Sequence, residues 1–286
     1  MNIVDAPAAR IAEGREGRGE RAGGALAPAA RRERALGWLL TVLIVLAALG
    51  LWQAAVWIFH LETALLPSPG DVAAAFADPA TQATILTNLG PTIEEALAGF
   101  VLCVVIGVAL AVAMDSSRAV RNGLYPLLIA SQAVPTIAIA ALLIALLGYG
   151  LAPRVVVVVL YSFFAVTVNV HDGLRTLDPE LPGLLRTLGA SRWDILRTAR
   201  LPAALPGFFT GAKLAITYSA AAAIYSEWVG STAGLGFALM QARNQYQQPQ
   251  AFALVVTMAA LGLGGFVLVA ILEWLLVPWT RVSRES

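Results

Sequence analysis

Long apolar runs dominate this chain, with little of the alternation that marks half-buried strands. A helix crossing roughly 30 Å of hydrocarbon needs about 20 mostly apolar residues. Six stretches qualify: 35–59, 92–114, 125–147, 155–170, 203–228 and 251–274. The first carries Trp38, Trp52 and Trp57 near its ends, and the second opens with Glu94 and Glu95. The third ends in Gly148-Tyr149-Gly150, the fourth is short but extendable at both ends, and the fifth contains Lys213. The pattern predicts an all-α, polytopic membrane protein with about six transmembrane helices in one domain, 35–280. Residues 1–34 are rich in Ala, Gly, Arg and Glu and hold almost no large apolar side chain, which predicts a disordered tail. That tail is too long and too acidic for a signal-peptide n-region, and 35–59 is too long for an h-region, so the first helix is expected to stay. A second short tail covers 281–286.

Composition supports the same class. The chain is 58% hydrophobic and 13% charged, against roughly 25% charged in an average soluble domain, which argues against a water-soluble enzyme. Cys103 is the single cysteine, and His60 and His171 are the two histidines, so a disulfide, a cysteine cluster or a His-rich metal site is excluded. The net charge of +1 hides an asymmetry. If the first run leaves the cytoplasm, sixteen arginines fall on the cytoplasmic side, including Arg118, Arg121, Arg175, Arg186, Arg192, Arg197 and Arg200. The opposite side has only Arg154 and Arg243, and 60–90 has no Lys or Arg. Positive residues gather inside, which predicts cytoplasmic N- and C-termini. The cations thus answer to the lipid bilayer, and no nucleic-acid partner is expected.

The longest cytoplasmic segment, 171–202, is written as structure. Asp178-Pro179-Glu180 reads as a helix start. Leu181, Leu184, Leu185 and Leu188 make one apolar stripe, and Gly189 supplies a left-handed stop. Ser191 with Asp194 reads as a capping box opening a second short helix that ends at Leu201-Pro202. Two amphipathic helices hinged at Gly189-Ala190-Ser191 are expected. Such a pair either docks in a partner's groove or lies on a lipid surface.

At these residues a resemblance becomes specific. Leu184-Leu185-Arg186-Thr187-Leu188-Gly189-Ala190-Ser191-Arg192-Trp193, followed by Arg200-Leu201-Pro202, resembles the EAA loop of importer-type ABC transporter permeases. The acidic-Ala-Ala opening of that motif is replaced here by Gly183, Leu184 and Leu185, with Glu180 the nearest acid. The departure is similar to the branch that imports nitrate, sulfonates, taurine and thiamine-pyrimidine precursors. Leu65-Leu66-Pro67-Ser68-Pro69, Ser131-Gln132-Ala133-Val134-Pro135 with Gly148-Tyr149-Gly150, and Tyr225-Ser226-Glu227-Trp228-Val229-Gly230 with Gly234-Leu235-Gly236 resemble the same branch. The resemblance extends over most of 60–279.

It implies a permease subunit that moves a small solute by alternating access and is not itself an enzyme. The implied partners are a separate ABC ATPase, a second copy of this chain and an external solute-binding protein delivering onto 60–90 and 230–250. Its coupling loop would run through Asp178, Glu180, Leu184, Leu185, Arg186, Gly189, Ala190, Ser191, Arg192, Trp193, Leu201 and Pro202. ATP and Mg would sit on the ATPase, with no cofactor, metal or catalytic residue here. The only lysine, Lys213, stands in Gly211-Ala212-Lys213-Leu214, which is no phosphate loop.

Polar residues inside the spans are the remaining candidates. Gln132, Asn169, Tyr218, Tyr225 and Glu227 are candidates for the substrate path. Gln132 should face protein or a water-filled route. Tyr218 and Tyr225, seven apart on one face, either stack on a flat heteroaromatic solute or pack. Glu227 either binds or gates solute, or sits at the interface. Glu94 and Glu95 are expected to be solvated, Lys213 to be structural and Glu273 interfacial. Gly207-x-x-x-Gly211 either packs helices closely or reflects chance. The solute of first choice is a thiamine-type pyrimidine precursor or another small heteroaromatic, with sulfonate, taurine or nitrate next. The alternative class, a gradient-driven secondary transporter, would show internal repeats and buried midplane acids.

Overall fold

The computed structural model describes residues 36–178 and 180–279, the side chain of Arg192 excepted. The expected tails, 1–34 and 281–286, lie outside the described residues. Two units are distinguished, divided after Glu62. The first contributes one apolar helix, α1 (Leu36–Ile58), in agreement with the first run. The second is all helix: α2 (Pro69–Ala77), α3 (Pro79–Ser116), α4 (Arg118–Gln132), α5 (Thr136–Leu147), α6 (Leu151–Arg175), α7 (Leu181–Thr187), α8 (Arg192–Ile195), α9 (Leu201–Gly230), α10 (Leu235–Asn244) and α11 (Gln248–Leu276).

Caps set boundaries that hydropathy alone misplaced. The second run was expected to begin at residue 92, yet α3 begins at Pro79 and spans 38 residues, about 57 Å at 1.5 Å per residue. Its first turns are too polar to register as a membrane run. They form because Asp78 accepts the Thr81 N–H at 3.0 Å and its hydroxyl at 2.9 Å, with Pro79 suited to the first helical position. Likewise Ser68 and Asp71 close a capping box on α2.

The third run is not one straight helix. Its two halves, α4 and α5, meet at a 90° bend. Pro135 supplies no N–H and its ring disfavours helical backbone at the residue before it, so the helix breaks at Ala133–Pro135. Among the described residues α1, α3, α6 and α11 are each long and apolar enough to cross a membrane, and the bent pair makes a fifth if counted as one span. Six spans are therefore not reached by length and apolarity alone. The fifth expected run became α9, 30 residues long, less apolar than these because of Lys213, Ser219, Ser226 and Glu227. Its surroundings explain that composition: α9 is packed by α3, α5, α6, α10 and α11.

Close approach to α6 runs through small residues. A Cβ on Gly211 would stand 2.9 Å from the Ala165 carbonyl oxygen, and one on Gly207 would collide with the Asn169 carbonyl. Gly207 and Gly211 thus pack α9 on α6 within one chain, the van der Waals mode by which membrane helices associate. Gly107 on α3 does the same, its added Cβ lying 2.7 Å from Val166 Cβ.

Candidate functional site

At the Gly230 end of α9 the polar groups are buried and satisfied. The N-terminus of α10 leaves its first N–H groups without helical partners, and α3 and α9 supply them. Asn88 Oδ1 accepts the Gly234 N–H at 2.9 Å, Thr92 Oγ1 accepts that of Leu235 at 2.8 Å, and Glu227 Oε2 accepts that of Gly236 at 2.5 Å. Thr92 in turn donates its hydroxyl to Glu227 Oε1 at 2.6 Å. A carboxylate at a helix N-terminus also meets the positive end of the dipole. Gly234, at φ +110°, has no room for a Cβ because the Glu227 carboxylate fills that space, and Gly236 has none because the Ile224 carbonyl oxygen and Glu227 do. The Tyr225–Gly230 and Gly234–Gly236 motifs are therefore two halves of one local structure.

One turn above Thr92, in the same region, Glu95 is fully buried. Its carboxylate pairs with Arg154 at 3.0 Å and accepts the Ser226 hydroxyl. Arg154 also donates to Ser231 at 3.1 Å and to the Gly150 carbonyl at 2.9 Å. One sequence expectation is corrected here: Glu95 is not solvated, although Glu94 is exposed. Glu227 is 1% exposed, held inside the protein, which argues against the interfacial one of its two readings. Both acids are buried because each has partners from two other elements, which hydropathy does not reveal.

The aromatic candidates meet around a ring that the sequence did not single out. Tyr161 on α6 makes edge contacts with Tyr218 at 5.8 Å and Tyr225 at 6.1 Å between centroids. Tyr225 continues the chain to Trp228 at 5.7 Å. Tyr225 and Trp228 also line an apolar groove of about 650 Å³ between α9 and α11, with Met258 and Phe266 on its α11 side. Tyr218 is 40% exposed. Asn169 lies apart from this cluster, at the α6–α9 crossing, and donates to the Ala165 carbonyl of its own helix at 2.8 Å. Gln132, expected to face protein or water, is exposed beside the α4–α5 break and contacts Ser131 at 3.3 Å.

The Leu201 end of α9 carries the loop. The Asp178 carboxylate accepts the Glu180 N–H at 2.9 Å, just ahead of α7. Gly189 has φ +87°. Its N–H bonds the Arg186 carbonyl and that of Ala190 bonds Leu185, both at 3.0 Å, the pair of bonds that closes a helix through a left-handed residue. Ser191 and Asp194 form the expected box: the Asp194 N–H donates to Ser191 Oγ at 3.2 Å, and the Ser191 N–H to Asp194 Oδ2 at 2.9 Å.

Leu201-Pro202 was expected to end the second helix, and here the structure differs. From Arg192 the chain runs through a wide turn, Leu196–Arg200, directly into α9, with the Leu201 N–H reaching back to the Leu196 carbonyl. Pro202 cannot bond Thr198, and widening the turn accommodates its ring. The loop is tied to the body by Arg200, which pairs with Asp115 of α3 at 3.0 Å, and by buried Ile195 and Pro182. Among the described residues much of its apolar stripe is uncovered: Leu184 and Leu188, with Trp193 beyond the hinge, are 57%, 75% and 67% exposed. Leu201 and Arg186 are exposed, Leu185 and Ala190 half-buried.

The structure thus brings Tyr218 and Tyr225 together through Tyr161, joins Glu227 to α10, and keeps Gln132 and Asn169 apart from both. Sequence reading missed Asn88, Thr92, Glu95, Arg154, Tyr161 and Ser226. One signal was available for Arg154: it is an isolated cation on the side otherwise poor in them. Lys213, expected to be structural, pairs with Glu273 at 2.8 Å.

Residues 103–282 match the family described as binding-protein-dependent transport system inner membrane component. The chain is 33% identical to the formylaminopyrimidine transport permease protein ThiX of Halalkalibacterium halodurans, over 76% of this chain and 86% of that one. It is 33% identical to the riboflavin transport system permease protein RibX of Chloroflexus aurantiacus, over 86% and 90%. It is 26% identical to the putative aliphatic sulfonates transport permease protein SsuC of Bacillus subtilis, over 87% and 90%. With the helical bundle, the capped loop and this similarity together, the chain belongs to the family of inner-membrane components of binding-protein-dependent transport systems, the multi-pass permease subunits of ABC transporters.

Proposed function

We propose that this chain is the membrane subunit of an ATP-driven importer, that two copies enclose the path, and that the path alternates between outward-open and inward-open. The observation that carries the reading is the loop: two capped helices around Gly189, anchored through Arg200, with Leu184, Leu188 and Trp193 exposed. An apolar stripe presented on a braced scaffold suits a groove on an ATPase. Closure of two ATPases would move the α7–α8 pair, and continuity of α8 with α9 would carry that movement into the spans. The arginine distribution supports the loop and both termini on the cytoplasmic side, which sets 60–90 and 230–250 outside, toward a solute-binding protein. ATP and Mg would be held by the ATPase.

Exposure of Tyr218 and Gln132 on a single chain suits a path lying between two copies. For the solute, Tyr161, Tyr218 and Tyr225 offer π faces and edges to a flat ring. The relatives named for formylaminopyrimidine and riboflavin transport support a thiamine-type pyrimidine precursor or similar heteroaromatic first. The sulfonate relative supports sulfonate, taurine or nitrate next.

The test is uptake by proteoliposomes holding this chain with a candidate ABC ATPase and solute-binding protein from the same genome. ATP inside, with no ion gradient, is expected to drive uptake of labelled formylaminopyrimidine, and excess alkyl sulfonate is expected not to compete. Uptake that follows an ion gradient without ATP overturns the mechanism. Uptake of sulfonate alone overturns the solute.

A further inference from the structure

His171 is 2% exposed near the end of α6, and among the described residues neither of its ring nitrogens has a hydrogen-bond partner. Buried polar side chains are rarely left so, which points to a group that the chain itself does not supply. The imidazole lines a cavity of about 340 Å³ between the start of α4 and the end of α6, with Arg121, Asn122, Tyr125, Asp172 and Arg175. Neither Arg121 nor Arg175 makes an ion pair among the described residues. Asp115, another acid near His171, is committed to Arg200 at 3.0 Å. Asp172, the one acid lining the cavity, is exposed.

We propose that this cavity binds a phosphate-bearing anion. Two guanidinium forks match tetrahedral oxyanions in geometry as well as charge. Asn122 and an imidazole N–H add neutral donors, and the buried nitrogen gains the partner it lacks. Two sources share this chemistry, an anionic phospholipid headgroup and a soluble phosphate. Arginine and tyrosine at helix ends belong at headgroup depth, and basic pockets between membrane helices bind such headgroups. Leu127 and Ile129, further along α4, are 66% and 52% exposed and give acyl chains an apolar surface.

The experiment uses the full-length chain in an uncharged detergent and follows its unfolding midpoint. One arm adds phosphatidylglycerol against phosphatidylcholine, and the other adds inorganic phosphate against chloride at equal ionic strength. A saturable rise with phosphatidylglycerol identifies the lipid headgroup, and a saturable rise with phosphate identifies the soluble anion. In either arm Arg121→Gln is expected to weaken the apparent affinity about five-fold and the double variant with Arg175→Gln about 25-fold. Arg118→Gln, outside the cavity, is expected to leave it unchanged. Midpoints without additive establish that each variant folds. No saturable rise in either arm overturns the proposal, as does an equal rise in the double variant. Loss of ATPase retention in the double variant, with the lipid and phosphate responses intact, overturns it too and assigns the arginines to a protein contact.

Discussion

The two ends of α9 are built on opposite terms. At the Gly230 end, charged and polar groups are buried and complete: Glu227, Thr92 and Asn88 receive the first N–H groups of α10, and Arg154 meets Glu95. At the Leu201 end, polar groups are spent on caps at the surface, and Leu184, Leu188 and Trp193 of the loop stand exposed. The first end is satisfied within one chain, whereas the second leaves exposed the apolar side chains that the proposed docking would cover. Substitutions at the first should therefore act on the stability of the isolated chain, and those at the second on association and coupling.

The largest effect is expected from Arg154→Met. It strands the Glu95 carboxylate, and removing one partner of a buried pair costs about 3–5 kcal/mol. Thermal unfolding of the isolated chain in detergent should show a clear drop. An unchanged midpoint would mean that water reaches Glu95 and that the two ends are not so different. Next come Leu184→Asp and Trp193→Asp. Each should leave the chain's own midpoint nearly unchanged, as for exposed positions generally, while weakening ATPase association by about 2 kcal/mol, roughly thirty-fold. If the midpoint falls as much as association does, the loop is packing on its own chain.

Gly189→Val should act more narrowly. A β-branched residue in the left-handed region costs about 1–2 kcal/mol, so the hinge angle shifts while insertion survives. ATP hydrolysis should proceed with uptake reduced, and Gly189→Asn, which tolerates that backbone, should restore coupling. Wild-type uptake in the valine variant would remove the hinge from the mechanism.

The smallest effect belongs to Asp194→Asn. The Ser191 hydroxyl and N–H hold the Asp194 carboxyl below its ordinary 3.8. A lowered folded value means that the box contributes fully above the unfolded value, about pH 4, and weakens as pH falls through the lowered one. Amide exchange at 191–195 should accelerate in the wild type only at such acid pH and be fast at all pH in the variant. Equal protection in both at pH 7 would show that the helix does not depend on the box.

Much of this architecture could be read from residue order, and what was missed shares a cause. Caps and stops are local: Ser191 with Asp194 and the left-handed Gly189 lie within a few residues of the backbone they shape. Proline breaks are local too, although at Pro135 the break turned an expected single span into a bent pair. The side-chain partners of Glu95 and Glu227 are 59 to 135 residues distant. A buried carboxylate looks no different in sequence from a solvated one until the fold supplies Arg154 and Thr92. Tyr161 was missed for the same reason, since its position between Tyr218 and Tyr225 depends on how α6 crosses α9. The composition of α9 carried a hint, for a long helix with Ala, Ser, Lys and Glu in place of Leu and Ile is one that faces protein.

The most direct test of the docking claim is co-purification in detergent of the intact chain with a candidate ABC ATPase from the same genome, comparing wild type, Trp193→Asp and Arg154→Met at matched amounts of folded protein. The account predicts a stable complex for wild type, its loss in Trp193→Asp, and its retention by whatever Arg154→Met chain remains folded. No complex with wild type, or one that Trp193→Asp leaves undiminished, would contradict it.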